Sequence, residues 1–196
     1  MPKEPSEITV EDNLSALEHM ILLILGESKG KISMLHLHKE TFLLWNFSSH
    51  VREFISFIAH YRGPYSNDIT SIIKNPSYLS DCWNYIPPLK HDSLTGGYVE
   101  VTFEGKKTYD DLYQQLTELE DIQPLLSGIK IVHEVYDNLE PEELLLLIYD
   151  TFPEYTENSD VYSKIYDKRK KIASNLLSKE KITPERYMEL VGEGYF

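Results

Sequence analysis

One segment breaks the helical rhythm of this chain and limits what it can fold into. Tyr98, Val99, Val101 and Phe103 are interleaved with Glu100 and Thr102, which is the period-two pattern of a half-buried strand, and the turn pair Gly96-Gly97 stands directly before it. Elsewhere the apolar residues recur at intervals of three and four. A strand needs partners for its backbone N–H and C=O groups, so the pattern calls for a hairpin with a segment around Ile86 to Leu94. Gly105 marks the strand's end. A long helix is then expected from Lys106, with Tyr109, Leu112, Leu116 and Leu119 in register.

Three helices precede the hairpin. Leu14, Leu17, Ile21 and Ile24 share a face, with Thr9 as N-cap and Gly26 as a stop signal; after a turn at Lys29-Gly30-Lys31, Ser33 caps a second helix carrying Met34, Leu37, Thr41 and Leu44, widened by Phe42 and Trp45. Asn46 to Ser49 interrupts it. Val51, Phe54, Ile55 and Ile58 resume an apolar stripe that fits helix or strand. The stretch HYRGPYSNDITSIIKN, His60 to Asn75, then reads as a tight turn at Arg62-Gly63-Pro64 and a third helix capped by Ser66, with Asp68 in its first turn and Ile69, Ile72 and Ile73 inward. Asn75-Pro76 ends it. Pro76 to Ser93 has no period and reads as an ordered connector with room for one short helix.

Helix, helix, helix, hairpin, long helix is the layout of a winged helix-turn-helix. The expected fold is mainly α, with three helices and a β-hairpin wing over residues 1–120 and a helical C-terminal extension over residues 121–196. The extension holds Ile131 to Tyr136, a helix with Pro141 at its first position and Leu144 to Tyr149 behind it, and Asn158/Ser159 as cap for Val161, Ile165, Ile172 and Leu176. Thr183-Pro184-Glu185 caps a last helix, Arg186 to Val191, stopped by Gly192.

Charge bears on function. Over 196 residues the net charge is −13. Residues 1–109 carry 13 acids and 10 bases, residues 110–196 carry 19 and 9, so the extension holds most of the acidity. Such a balance opposes non-specific affinity for nucleic acid, which comes from Lys and Arg displacing counterions from phosphate. The lone Cys82 excludes an internal disulfide, and with no basic neighbour in sequence it reads as structural. Met1 to Glu7 lacks the character of a leader, and the apolar runs Met20 to Leu25 and Leu144 to Tyr149 are too short to cross a bilayer. A cytoplasmic protein without a membrane partner is expected.

Catalytic and metal signatures are weak. His36, His38 and Glu40 sit within one turn and a half of helix, but residues two apart diverge by about 200° around the axis, so only His36 and Glu40 share a face, too few for a zinc site. No nucleophile elbow or phosphate-cradling Gly-rich loop occurs. The chain therefore reads as non-catalytic, with no cofactor and no metal. For DNA reading, the third helix offers Asn67, Ser71 and Lys74, Arg62 precedes it, and Lys106 and Lys107 follow the wing strand, opposed by Glu100 and Glu104; a homodimer would concentrate these contacts. For protein binding, Tyr61 and Tyr65 flank the turn, and the corner presents Arg62, Tyr65 and Asn67. Tyr149, Tyr155, Tyr162, Tyr166 and Tyr187 dot the acidic extension, which suits a basic partner or else serves to pack the extension down.

Three stretches together resemble a known family. His60-Tyr61-Arg62-Gly63-Pro64-Tyr65-Ser66 is similar to the Y-K-Y-G-P-Y-S signature of the YwgA-like proteins of bacteria and archaea, themselves similar to the Panacea (SocA-like) antitoxin domains. Leu37 to Leu44 resembles that family's helix of a lysine followed by apolar pairs, and Val101 to Lys107 resembles the L-T-E-E-G-K step from wing strand into long helix. The resemblance spans residues 10–120, and Glu142 to Ser159 is similar to the same group's C-terminal part; Pro76 to Ser93 departs from it. It implies a winged-helix core without established chemistry and a regulatory or antitoxin-like role, with sequence-specific DNA binding as the alternative. The partner-binding candidates are Arg62, Tyr65, Asn67, Ser71, Lys74, Lys106 and Lys107.

Overall fold

The computed structural model describes residues 10–28, 30–90, 92 and 94–192. It is mainly helical with a small antiparallel sheet. The chain runs α1 (Val10–Glu27), β1 (Lys31–Ser33), α2 (Met34–Phe47), α3 (Ser49–Phe54), β2 (Ile58–His60), β3 (Gly63–Tyr65), α4 (Asn67–Lys74), β4 (Trp83–Ile86), β5 (Tyr98–Val101) and α5 (Phe103–Leu116). There follow α6 (Gln123–Tyr136), α7 (Pro141–Thr151), a 3₁₀ turn (Pro153–Thr156), α8 (Tyr162–Asp167), α9 (Arg169–Ser178) and α10 (Pro184–Val191). The expected Thr9 cap and the Lys29 side of the first turn lie outside the described residues. Gly26 does not stop α1, which runs one residue past it.

The three-stranded sheet has the order β1-β5-β4, antiparallel throughout. Its hairpin partner for β5 is Trp83–Ile86 rather than a segment beginning at Ile86, and no helix forms between Pro76 and Ile86. The strand also ends sooner than its alternation implies. Thr102 Oγ1 accepts the Gly105 N–H at 2.9 Å and so caps a helix at Phe103, leaving that ring 87% exposed instead of inward. Gly105 lets this helix start against β4: a Cβ there would lie 1.9 Å from the Cys82 carbonyl oxygen. The helix expected from Lys106 therefore starts at Phe103 and ends before Leu119.

The elbow also differs in detail. The turn is at Tyr61-Arg62, and Gly63-Pro64-Tyr65 forms a short strand paired with Ile58–His60. Gly63 has φ +79°, a left-handed conformation that a side chain rarely adopts, and its open face receives the Tyr149 ring. Ser66 then caps α4 as its position predicts, accepting from the Ile69 N–H.

Two cores meet on α2. Met34, Leu37 and Leu44 pack with α1, α4, the sheet and Leu126, Ile129 and Val132 of α6, whereas Leu35 and Phe42 pack into a second cluster with α7, α9 and α10. A helix covered on both sides must bury its polar residues too. His36, His38, Lys39, Glu40 and Thr41 are all buried, and each finds a hydrogen-bond partner. The tyrosines of the extension mostly turn inward: Tyr149 is buried, Tyr155, Tyr162 and Tyr187 are half-buried, and Tyr166 is exposed.

Candidate functional site

Two of the polar residues of α2, His38 and Lys39, line a cavity of about 240 Å³, walled by α2, the β2–β3 hairpin, α4, β4 and residues 94–96 of the loop between β4 and β5. Local sequence explains the walls. Met34 and Leu35, at the start of α2, donate their N–H groups to the carbonyls of Gly97 and Thr95, which draws that loop back over the helix. Arg62 Nη1 donates to the Leu94 carbonyl at 3.1 Å and Tyr85 donates to that of Gly96 at 3.0 Å, fixing the loop from two further sides.

Lys39 lies at the back. Its Nζ donates to the Pro64 carbonyl at 2.8 Å, and no carboxylate among the described residues is paired with it; burial first, and the Arg62 charge second, hold its pKa at about 7. Its neighbour His38 is also enclosed. The Ser66 N–H donates to His38 Nδ1 at 3.3 Å, which places the proton on Nε2, within 3.2 Å of Thr70 Oγ1. Burial, then the Lys39 and His60 charges, keep this imidazole well below the ordinary histidine range, so it stays neutral. Tyr65 is stacked between His38 and His60, with ring centroids 4.6 and 4.5 Å away.

The charge of this cavity runs against that of the molecule. Its lining holds Lys39, Arg62 and Lys74 with His38 and His60, and no acidic residue among the described residues. Lys74 reaches across to the Tyr85 ring, 5.5 Å from its centroid.

The structure thus brings together Arg62, Tyr65 and Lys74 of the candidates named from sequence. Asn67 and Ser71 lie on the exposed face of α4. Lys106 and Lys107 belong to the first turn of α5, beside the Cys82 end of β4, whereas the cavity is at the Tyr85 end; Lys107 Nζ lies 3.9 Å from Glu104. Lys106 and Lys107 therefore do not join Arg62 and Lys74 in the cavity lining. Lys39, His38, His60, Thr70 and Tyr85 are additions that the spacing arguments missed. The available signal was the run His36 to Thr41, five polar residues with one leucine inside a helix that also carries apolar residues on every side.

A second cluster joins residues remote in sequence. His36 and His38 diverge as helical geometry requires: His36 Nε2 donates to the Leu139 carbonyl at 2.9 Å, away from the cavity. Glu40 instead meets α6, where His133 Nδ1 donates to its Oε2 at 3.1 Å and Asp137 lies 3.7 Å from His133 Nε2. These three could offer ligand atoms within 4.8 Å of one another, but the direct hydrogen bond occupies the middle of the group. Burial lowers the His133 pKa, while the hydrogen bond and charge of Glu40, then Asp137, outweigh it and raise the net value. The i, i+4 spacing of His133 and Asp137 was the sequence signal for it.

No protein-family model and no curated protein sequence matches this chain.

Proposed function

We propose that this chain is a non-catalytic regulatory module built on a winged-helix core, acting through a protein partner as antitoxins do, and related to the YwgA-like and Panacea (SocA-like) proteins its motifs resemble. The core assignment draws support from the path of the chain. Strand β1 lies between α1 and α2, α4 comes after α2 with α3 and the β2–β3 hairpin inserted between them, and β4 and β5 form a hairpin added to β1 in the order β1-β5-β4; in this assignment that hairpin is the wing and α4 the outward helix.

The observation that carries the choice of partner is where the cations point. A helix presented to duplex DNA needs flanking Lys and Arg free to meet phosphates. Here Arg62 is bound to the Leu94 carbonyl, Lys74 lies over Tyr85, and Lys107 is beside Glu104 at the other end of the hairpin. The outer face of α4 is left with Asn67, Asp68, Ser71 and Asn75, a polar surface of the kind a protein can cover.

A photo-crosslinker in place of Ser71, used in the native cell, tests the reading. It should capture one protein whose purified complex is disrupted by Asn67→Arg. Random-sequence duplex should bind no more tightly than ~100 µM at physiological salt. Enrichment of a single DNA motif from a random pool, with binding lost in the Asn67→Ala, Ser71→Ala double variant, would move the assignment to a transcription regulator.

A further inference from the structure

The cavity beneath α4 is electrostatically incomplete. Lys39 and Arg62 face the same space and repel each other, with Lys74 at the rim, and no acid among the described residues lines it, in a chain with 13 more acids than bases. Buried charge of one sign is costly unless something of the other sign completes it. Solvent alone is a poor match, because much of the wall is Met34, Leu35, Tyr85 and Leu94.

We infer that this cavity is a binding site for a small organic carboxylate, its acid group between Lys39 and Arg62 and its apolar body against Met34, Leu35, Tyr85 and Leu94. The volume of about 240 Å³ equals roughly eight waters at ~30 Å³ each, enough for a benzoate-sized acid and small for a nucleotide. The donor set favours carboxylate over phosphate. Phosphate sites draw on free backbone N–H groups at helix starts, and the two at the start of α2 are committed to Gly97 and Thr95. What remains is the Arg62 guanidinium, whose Nη1 holds the Leu94 carbonyl and whose other N–H groups can meet a carboxylate, and a lysine that charges when an anion arrives.

Protonation is part of the site. Lys39 is faced by His38 from its own helix, His60 from β2, Arg62 from the turn, Tyr65 from β3, Lys74 from α4, Tyr85 from β4 and Tyr149 from α7. Tyr149 is pushed up to about 12 and His38 is held down, so both are uncharged near neutrality and neither offsets the Lys39 or Arg62 charge. An entering carboxylate therefore raises the Lys39 pKa and draws a proton from solvent. None of this depends on whether α4 meets protein or DNA.

The test is calorimetric titration of the full chain with sodium benzoate, in two buffers of different ionisation enthalpy. With Lys39 near 7, binding at about pH 7.5 should take up roughly three-quarters of a proton, falling towards none at about pH 5.5. Lys39→Met should abolish the proton uptake and weaken binding at least about tenfold, Arg62→Gln should weaken it similarly, and Lys107→Gln should leave it unchanged. Three results would each overturn the assignment: no benzoate binding at millimolar concentration, binding without proton uptake in the unaltered chain, or inorganic phosphate competing on equal terms. The proton count needs no variant, so it holds even where a substitution impairs folding.

Discussion

Replacing Lys39 by Met should stabilise the protein, and the gain should depend on pH in a defined direction. A lysine that titrates at 10.5 when unfolded and about 7 when folded carries a charge penalty of about 5 kcal/mol at ~1.4 kcal/mol per pH unit. Between these two values the unfolded chain binds the extra proton, so stability rises with pH from 7 towards 10.5; below 7 both states are protonated and the whole penalty applies. Methionine keeps the length and apolar stem but forfeits the bond to the Pro64 carbonyl, a loss of about 1–3 kcal/mol that does not vary with pH. The net gain is therefore about 2–4 kcal/mol near pH 6 and close to zero near pH 9. Urea unfolding of both proteins at several pH values, followed by far-ultraviolet circular dichroism, reads this directly. An advantage that is flat with pH, or that grows from pH 6 to 9, would refute the picture of a lysine buried without a counter-charge.

Two further outcomes follow from other buried groups. Glu18, fully enclosed on α1, accepts the N–H groups of Ser77, Tyr78 and Leu79 at 2.7, 2.9 and 2.8 Å; Glu18→Ala should cost about 3 kcal/mol in urea unfolding and speed amide exchange at those three positions first. For His133, whose folded pKa is raised above its ordinary 6.5 by the Glu40 hydrogen bond and charge against the opposing effect of burial, the stabilisation is fully present below 6.5 and is lost as pH rises through the folded value. His133→Asn should therefore narrow the stability gap to the parent as pH is raised from about 5.5 to 8.5, and a gap that widens would rule out a protonated His133 in the fold.

Features set by a few neighbouring residues were legible in the sequence. Ser33, Ser66 and Thr183 cap α2, α4 and α10 with their side chains, Pro141 opens α7, and Gly192 ends α10 in a left-handed conformation. Each depends on contacts within about four residues. Phe103 misled because alternation alone cannot tell a strand from the start of a helix, and the Thr102 hydroxyl settled the matter. Pro76 to Ile86 misled for a different reason: Glu18, some sixty residues away, holds its first turn, and β4 becomes a strand by pairing with β5.

The burial of α2 was hidden because the extension completes it. Read alone, His36, Lys39 and Glu40 at spacings of three and four look like the wet stripe of an amphipathic helix. They are dry because residues about a hundred positions later lie over them: the Leu139 carbonyl accepts from His36, His133 donates to Glu40, and Tyr149 packs against Gly63 beside Lys39. The same segment clamps the hairpin that carries Arg62 and Pro64. Asp160 N–H and Ser159 Oγ both donate to the Tyr61 carbonyl, and Asn158 donates to that of Ala59. The C-terminal helices therefore do more than present an acidic surface. Through Tyr149 against Gly63 and the clamp on the hairpin, they help hold in place the walls that bury Lys39.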